Sequence, residues 1–356
     1  MQKQILVVGG GISGLAVLHY LKKKYASRTD VQIKLLEKST NPGGTIQSIR
    51  QNQFLFECGP NGFLSSKPNT LEFIKELELE KSLLAAKKES KERFILLNGI
   101  LHRIPLDPLS FFTFKPLSIS DKFRIFKEIF IAQGNDPNET VYDFGKRRLG
   151  ERFAELFLDP MVSGVFGGDA RKLNLKSAFP RIYEIEQTYG SLFRGMFHLA
   201  MRKRSNAVER RINVGPKGTL MSFENGMGEL TDTLYSKYKD SIYLNEEVGF
   251  IKKANNRFIV QTNQREYSCD EIFICTPAYS AAQILYEFNK VLTEELRKIS
   301  YASIAVIGLV YKRDAFSVLP KGFGYLIPTK EGKAVLGVLF SSNIFENRTD
   351  ENHILF

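Results

Sequence analysis

Residues 5–8, ILVV, form a short uninterrupted apolar run, and apolar positions then recur at helical spacing from Leu15 to Leu21. A second run, VQIKLLE over 31–37, follows. Strand, helix and strand in that order predict the opening of an alternating α/β fold. Residues 46–57 read as two extended segments leading into CGPNGF, and a helix is predicted from near Pro68 through LEFIKELEL. RFILL and ILHRI flank Asn98-Gly99, a dipeptide suited to a type I′ turn, so 93–104 are predicted as a β-hairpin. From Pro105 to about Arg204 the pattern turns helical and rich in phenylalanine. Beyond 219 it predicts short strands, a helix at 228–238, hairpin-like strands at 246–268 and a buried strand over Glu271–Thr276. Long strands are predicted at 301–313 and 333–341. The α/β pattern at both ends implies domains built from discontinuous segments. No repeat or low-complexity tract interrupts it.

The first strand runs into Gly9, Gly11 and Gly14, spaced G-x-G-x-x-G, at the head of the first helix. Gly9 permits a sharp turn, Gly11 lets backbone approach a pyrophosphate, and Gly14 lets helix pack on strand. The first N–H groups of the helix face the anion. Glu37 closes the second strand 23 positions after Gly14, near the spacing of a carboxylate that accepts a ribose hydroxyl. A glycine-rich turn without a ligand requires none of this context. The chain is therefore predicted to hold a dinucleotide. Asn41-Pro42-Gly43-Gly44-Thr45 then offers a second close backbone approach, further along the ligand, where no helical pattern runs on from Glu37.

The 356 residues suffice for two or three domains, and 50 Lys+Arg against 39 Asp+Glu leave a net charge of +11. Such a surface favours anionic partners: acidic lipid, nucleic acid or an anionic small molecule. The basic residues are scattered apart from the stretch 201–211, which reads as solvated surface, and no nucleic-acid module is recognisable, so no nucleic-acid partner is expected. Cys58, Cys269 and Cys275 form neither a disulfide framework nor a zinc pattern, which points to a reducing compartment. The four histidines are scattered, so no metal site is expected; His19, inside the first helix, is read as packed or surface. No segment approaches the ~18 consecutive apolar residues of a membrane-crossing helix. The first strand starts so early that no leader peptide is expected.

Glu37 followed by the Gly43-Gly44-Thr45 loop resembles the FAD-binding fold of the flavin amine oxidases. A closer resemblance runs along the chain. GGGISGLAVLHYL, EKSTNPGGTIQS, FECGPNGF, ERFILLNGILHRIP, TVYDFGKRRLG, GVFGGDARKLNLKSAFP, FENGMGEL, CTPA, GFGYLIP and LGVLFSSNIF match, in order, the protoporphyrinogen oxidase family within that superfamily. The first of these is shared by many flavoproteins, whereas the GVFGGD block is far more diagnostic.

The resemblance implies an α/β (α+β) protein: an FAD-binding Rossmann-like domain over 1–65 and 213–288, a mixed-sheet substrate domain over 66–106 and 289–356, and a helical membrane-associating insert over 107–212. It implies FAD as cofactor and a six-electron oxidation of a porphyrinogen in three rounds, with dioxygen as acceptor and hydrogen peroxide as product. Carried over residue by residue, it places Gly9, Gly11, Ile12, Ser13, Gly14, Glu37, Lys38, Gly43, Gly44, Thr45, Gly59, Pro60, Asn61, Gly62, Val248 and Thr276 on the cofactor. Arg93 falls at the propionate-binding arginine, and a guanidinium suits a carboxylate in a bidentate manner. Gly164 falls where backbone approaches the pyrroles, and Leu326 and Phe345, read as strand residues, are candidates for the apolar walls. No general acid or base is assigned.

In the insert, PLDPLSFFTFKPLSISDKFRIFKEIFI mixes phenylalanine and isoleucine with Lys115, Lys122, Arg124 and Lys127, which suits an anionic membrane surface. Packing as buried helix is the alternative. The resemblance favours peripheral attachment to the cytoplasmic face of a bacterial cell membrane, and leaves contact with ferrochelatase and a homodimer open. The family also carries a final segment beyond HILF that returns to the FAD domain. Its absence is expected to leave an unpaired strand edge and a partly open flavin site. Protoporphyrinogen IX is the first candidate substrate. Coproporphyrinogen III, an amine or carotenoid substrate, and an inactive remnant remain open.

Overall fold

A computed structural model describes residues 2–205 and 218–356. The strand Lys3–Val8 pairs in parallel with Val31–Leu36 on one side and Glu271–Ile274 on the other, and Ile242–Tyr243 extends the sheet beyond Val31–Leu36. Successive side chains of a strand point to opposite faces. Ile5 and Val7 accordingly pack under the helices Ile12–Lys24 and Gly228–Tyr238, through Leu15, Leu18 and Leu234. Leu6 and Val8 pack on the other face against Val248, Ile251, Val260 and Ile284. A strand covered on both faces reads as a continuous apolar run, which is why ILVV does not alternate.

That second cover is an antiparallel meander of Val248–Ala254, Arg257–Thr262 and Glu266–Cys269, three strands where the sequence predicted a hairpin-like region. Glu271–Ile274 is half-buried rather than buried, because it forms the edge of the parallel sheet among the described residues.

A second four-stranded sheet has the order Gly337–Leu339, Gly324–Leu326, Arg93–Leu97, Ile100–Arg103. Its hairpin turns at Asn98 (φ 50°) and Gly99 (φ 78°), both in the left-handed region that a type I′ turn requires. Gly324–Leu326 runs parallel to Arg93–Leu97, so the sheet is mixed.

The predicted long strands at 301–313 and 333–341 shrink to Val310–Lys312 and Gly337–Leu339. Among the described residues 301–308 have no ladder partner, and a strand exists only through its neighbour's hydrogen bonds. Pairing begins at Leu309, which exchanges two backbone bonds with Phe356, and Val310–Lys312 then pairs with His353–Leu355.

Between these sheets in sequence lies a helical region. Asp107, Ser118 and Thr140 accept backbone N–H bonds and start the helices Pro108–Thr113, Ile119–Phe126 and Val141–Leu149. Phe114, Leu117, Ile125 and Leu156 pack onto Ile95 and Leu97 and so dock this region on the second sheet. Asp159–Phe166, Pro180–Tyr189 and Leu192–Ser205 complete it. The basic stretch at 201–211 and the boundary expected at 212 lie largely outside the described residues.

Candidate functional site

The glycine loop has the geometry its spacing predicts. Gly9 adopts φ +102°, where a Cβ would also stand 3.0 Å from the Cys275 carbonyl. A Cβ on Gly14 would overlap the Gly9 carbonyl, so helix and strand touch there through backbone alone. A Cβ on Gly11 would meet nothing within 4 Å: the space above it is open to a ligand. Gly43 bridges to Gly11, its N–H donating to the Gly10 carbonyl at 2.8 Å. A Cβ on Gly44 would come within 3.2 Å of the Gly11 Cα. The two glycine loops, apart in sequence, thus form one backbone cradle.

Glu37 is buried beside it. Its Oε2 accepts the Gly10 N–H at 2.5 Å and its Oε1 the Ser39 N–H at 2.9 Å. A carboxylate has about four acceptor positions, so a ribose hydroxyl can still be bound. Gly10, which the spacing rule does not single out, is needed here: a Cβ would stand 2.9 Å from the Glu37 Cβ. Ile12 is half-buried, while Ser13, Lys38 and Thr45 are exposed around the cradle. Val248 is buried in the core beneath the sheet.

Two orphaned polar atoms mark the rest of the path. Asn61 Nδ2 and Thr276 Oγ1 are buried without a hydrogen-bond partner among the described residues. Leaving such atoms unpaired costs about 1–3 kcal/mol each, so both fit a ligand that carries its own donors and acceptors. The cradle, the carboxylate and these two atoms fit a flavin dinucleotide.

The substrate candidates fall into two places. Leu326 reaches Gly164 on the helix Asp159–Phe166; a Cβ on Gly164 would lie 2.5 Å from the Leu326 Cδ2. Asp159 holds that helix, accepting the Thr329 N–H at 2.8 Å and its hydroxyl at 2.9 Å. Arg93 is the register partner of Gly324 and stands on the face that carries Leu326. Its guanidinium lies 4.8 Å from the Phe323 ring centroid and, among the described residues, donates only to the Lys91 carbonyl, at 3.4 Å. No carboxylate among the described residues pairs with it. The residue is exposed, yet burial of its head lowers the guanidinium pKa.

Ile304 and Ala302, which sequence reasoning missed, reach Gly167 next to this surface. A run of apolar residues called a strand from pattern alone gives no hint of that contact. Phe345 is elsewhere. It follows the helical turn Ser341–Ile344 rather than lying in a strand, is 1% exposed, and packs against Gly62.

The model of the flavin containing amine oxidoreductase family matches residues 12–356. The chain belongs to that family. As a member it is an FAD-dependent oxidoreductase. It is 31% identical to the protoporphyrinogen oxidase of Dictyostelium discoideum over 97% of this chain and 74% of that protein. It is 24% identical to the coproporphyrinogen III oxidase of Bacillus subtilis over 99% of this chain and 76% of that one. A solved structure from Exiguobacterium sp. 255-15 superposes with a TM-score of 0.80 at 21% identity, covering 100% of this chain and 76% of that one, which supports the fold. Among the described residues no helix is long and apolar enough to cross a membrane, and no group of three or more His, Cys, Asp and Glu side chains could hold a metal ion.

Proposed function

We propose that this flavoprotein oxidises a porphyrinogen, with protoporphyrinogen IX as the first candidate. The chemistry supplied by bound FAD is two-electron acceptance, one hydride in each of three rounds, each closed by dioxygen with formation of hydrogen peroxide. Gly9, Gly11, Gly14, Glu37, Gly43, Gly44, Thr45, Gly59–Gly62 and Thr276 would hold it. The observation that carries the reading is the joining of Arg93, Leu326 and Gly164 around one surface. A macrocycle needs an apolar wall, which Leu326, packed onto the Gly164 backbone, offers. Its propionate needs a cation not already neutralised, which Arg93 offers. The 31% identity to a protoporphyrinogen oxidase supports the substrate class, and the coproporphyrinogen III oxidase relative keeps the tetracarboxylate as the second reading.

Membrane association belongs to the same proposal. Phe130 is 83% and Ile119 74% exposed, Phe112 and Phe126 stack at 5.7 Å, and Lys122 donates to the Phe112 carbonyl at 2.7 Å. Apolar side chains flanked by cations suit the anionic inner face of a bacterial membrane.

The test is anaerobic bleaching of the flavin band by protoporphyrinogen IX, coproporphyrinogen III and an amine in turn. Bleaching by a porphyrinogen and not by the amine is expected. The reverse result overturns the reading. Arg93→Ala should raise KM by about tenfold to a hundredfold, the worth of a charge-assisted hydrogen bond of about 1.5–3 kcal/mol. An unchanged KM would remove Arg93 from substrate binding.

A further inference from the structure

Behind the cofactor loops lies a buried polar knot. Arg348 is 1% exposed. Its Nη2 donates to Ser222 Oγ at 2.8 Å and lies 3.5 Å from Glu57 Oε1; its Nη1 donates to the Phe223 carbonyl at 3.4 Å. Its backbone carbonyl accepts the Leu55 N–H at 3.0 Å. Glu57 in turn accepts the Met227 N–H at 2.8 Å and the Ser48 hydroxyl at 2.5 Å. Ser48 Oγ accepts the Gly228 N–H at 2.8 Å. A Cβ on Gly226 would strike both Ser48 and Glu57, so the chain passes there as glycine. Three stretches distant in sequence, the hairpin 48–57, residues 222–228 and Arg348, meet at one point.

The loops expected on the flavin leave from that point. Gly59–Gly62 begins two residues beyond Glu57. Gly43 faces Thr231 Oγ1, one turn into the helix whose first residues Glu57 and Ser48 hold. The Phe345 ring lies 5.1 Å from the Arg348 guanidinium on one side, and on the other reaches within 3.2 Å of the place of a Gly62 Cβ.

We propose that Arg348 and Glu57 are positioning residues of the redox site: their contact fixes the Gly59–Gly62 loop and the Phe345 ring behind it. This rests on the reading of Gly59–Gly62 as flavin-facing. Stability alone is a poor reason for such a pair. Its ions are 3.5 Å apart, Arg348 Nε has no partner among the described residues, and burial lowers the Arg348 pKa and raises that of Glu57. Apolar residues of equal volume often replace buried ion pairs without loss. A guanidinium does what they cannot: it lies over the Phe345 ring while its nitrogens reach Ser222 and Glu57.

The test uses the FAD-loaded protein and three variants: Arg348→Met, Arg348→Lys and Glu57→Gln/Arg348→Met. FAD affinity, visible circular dichroism of the flavin and the thermal midpoint are measured together. Arg348→Met should weaken FAD binding by at least about tenfold and change the dichroism, and Arg348→Lys should restore part of both. The double variant should regain thermal stability, since no uncompensated carboxylate remains buried, without regaining affinity or dichroism. Should Arg348→Met fail to fold, the double variant decides. Affinity and dichroism that return with stability in the double variant would overturn the proposal, as would a native flavin spectrum in Arg348→Met. Gly11→Val separates the failures: full FAD content in that variant would overturn the cofactor-loop reading and this proposal with it.

Discussion

Arg148 in the helical region and Arg348 behind the cofactor loops are the two largest fully buried side chains among the described residues, and their surroundings differ in kind. Arg148 is saturated. Its Nε donates to Glu186 at 2.6 Å, its Nη1 to Glu128 Oε1 and the Ile131 carbonyl at 3.0 Å each, and its Nη2 to the Gly190 carbonyl at 2.8 Å. Glu128 then accepts the Ser191 hydroxyl at 2.7 Å and the Leu192 N–H at 2.8 Å at the head of the helix Leu192–Ser205. Arg147 ties Glu186 to Glu139 from the other side. Among the described residues Arg348 has an idle Nε and a single carboxylate, at 3.5 Å. A saturated network locks helices together, whereas an under-satisfied one is tolerated where geometry serves a site. The contrast separates scaffold from machinery.

The largest effect that could break this contrast is on stability. Arg148→Met leaves Glu128 buried without its cation and Glu186 with Arg147 alone, and should cost about 3–5 kcal/mol in urea unfolding. Arg348→Met should cost less, about 1–3 kcal/mol, because the guanidinium stands 3.5 Å from Glu57 and its shortest hydrogen bond is to the neutral Ser222 hydroxyl. The reverse order would mean that Arg348 is the structural arginine.

Acid should act on the two regions with opposite sign. Burial alone would raise the Glu186 pKa, but Arg147, Arg148 and the Gly134 N–H hold it below the usual carboxylate range. A depressed pKa contributes stability above the unfolded value of 4.5, and that stability is lost as pH falls through the folded value. Glu57, raised by burial, contributes stability below 4.5 that is lost as pH rises through its folded value. Hydrogen exchange, corrected for intrinsic rates, should therefore accelerate around 180–195 between about pH 6 and about pH 3.5, and not around 54–62. Equal acceleration in both would erase the distinction.

What the sequence discloses divides along a similar line. The strand Lys3–Val8, the turn at Asn98-Gly99 and the helix Gly228–Tyr238 are legible because run, turn chemistry and periodicity act within a few residues. The glycine cradle is legible because the absence of a Cβ constrains backbone locally. Residues 301–308 are misread as strand because a ladder needs a partner that no local pattern reveals. Arg348, in the polar stretch ENRTD, reads as surface; its burial arises only when 48, 57, 222 and 348 converge. The role expected of Arg93 rests on family resemblance, and its pairing with Gly324 is visible only in the sheet.

The sharpest comparison applies one substitution to both regions, and its Glu57 arm carries the smallest expected effect. Glu186→Gln removes a charged acceptor from two arginines, each such bond being worth about 1.5–3 kcal/mol. Glu57→Gln keeps a carbonyl for the Met227 N–H and places an amide beside the Ser48 oxygen, so its cost should stay below about 1 kcal/mol. Urea midpoints measure both. A Glu57→Gln loss as large as that of Glu186→Gln would show that the Arg348–Glu57 contact carries the full weight of an ion pair. The under-satisfied geometry at Arg348 would then no longer distinguish machinery from scaffold.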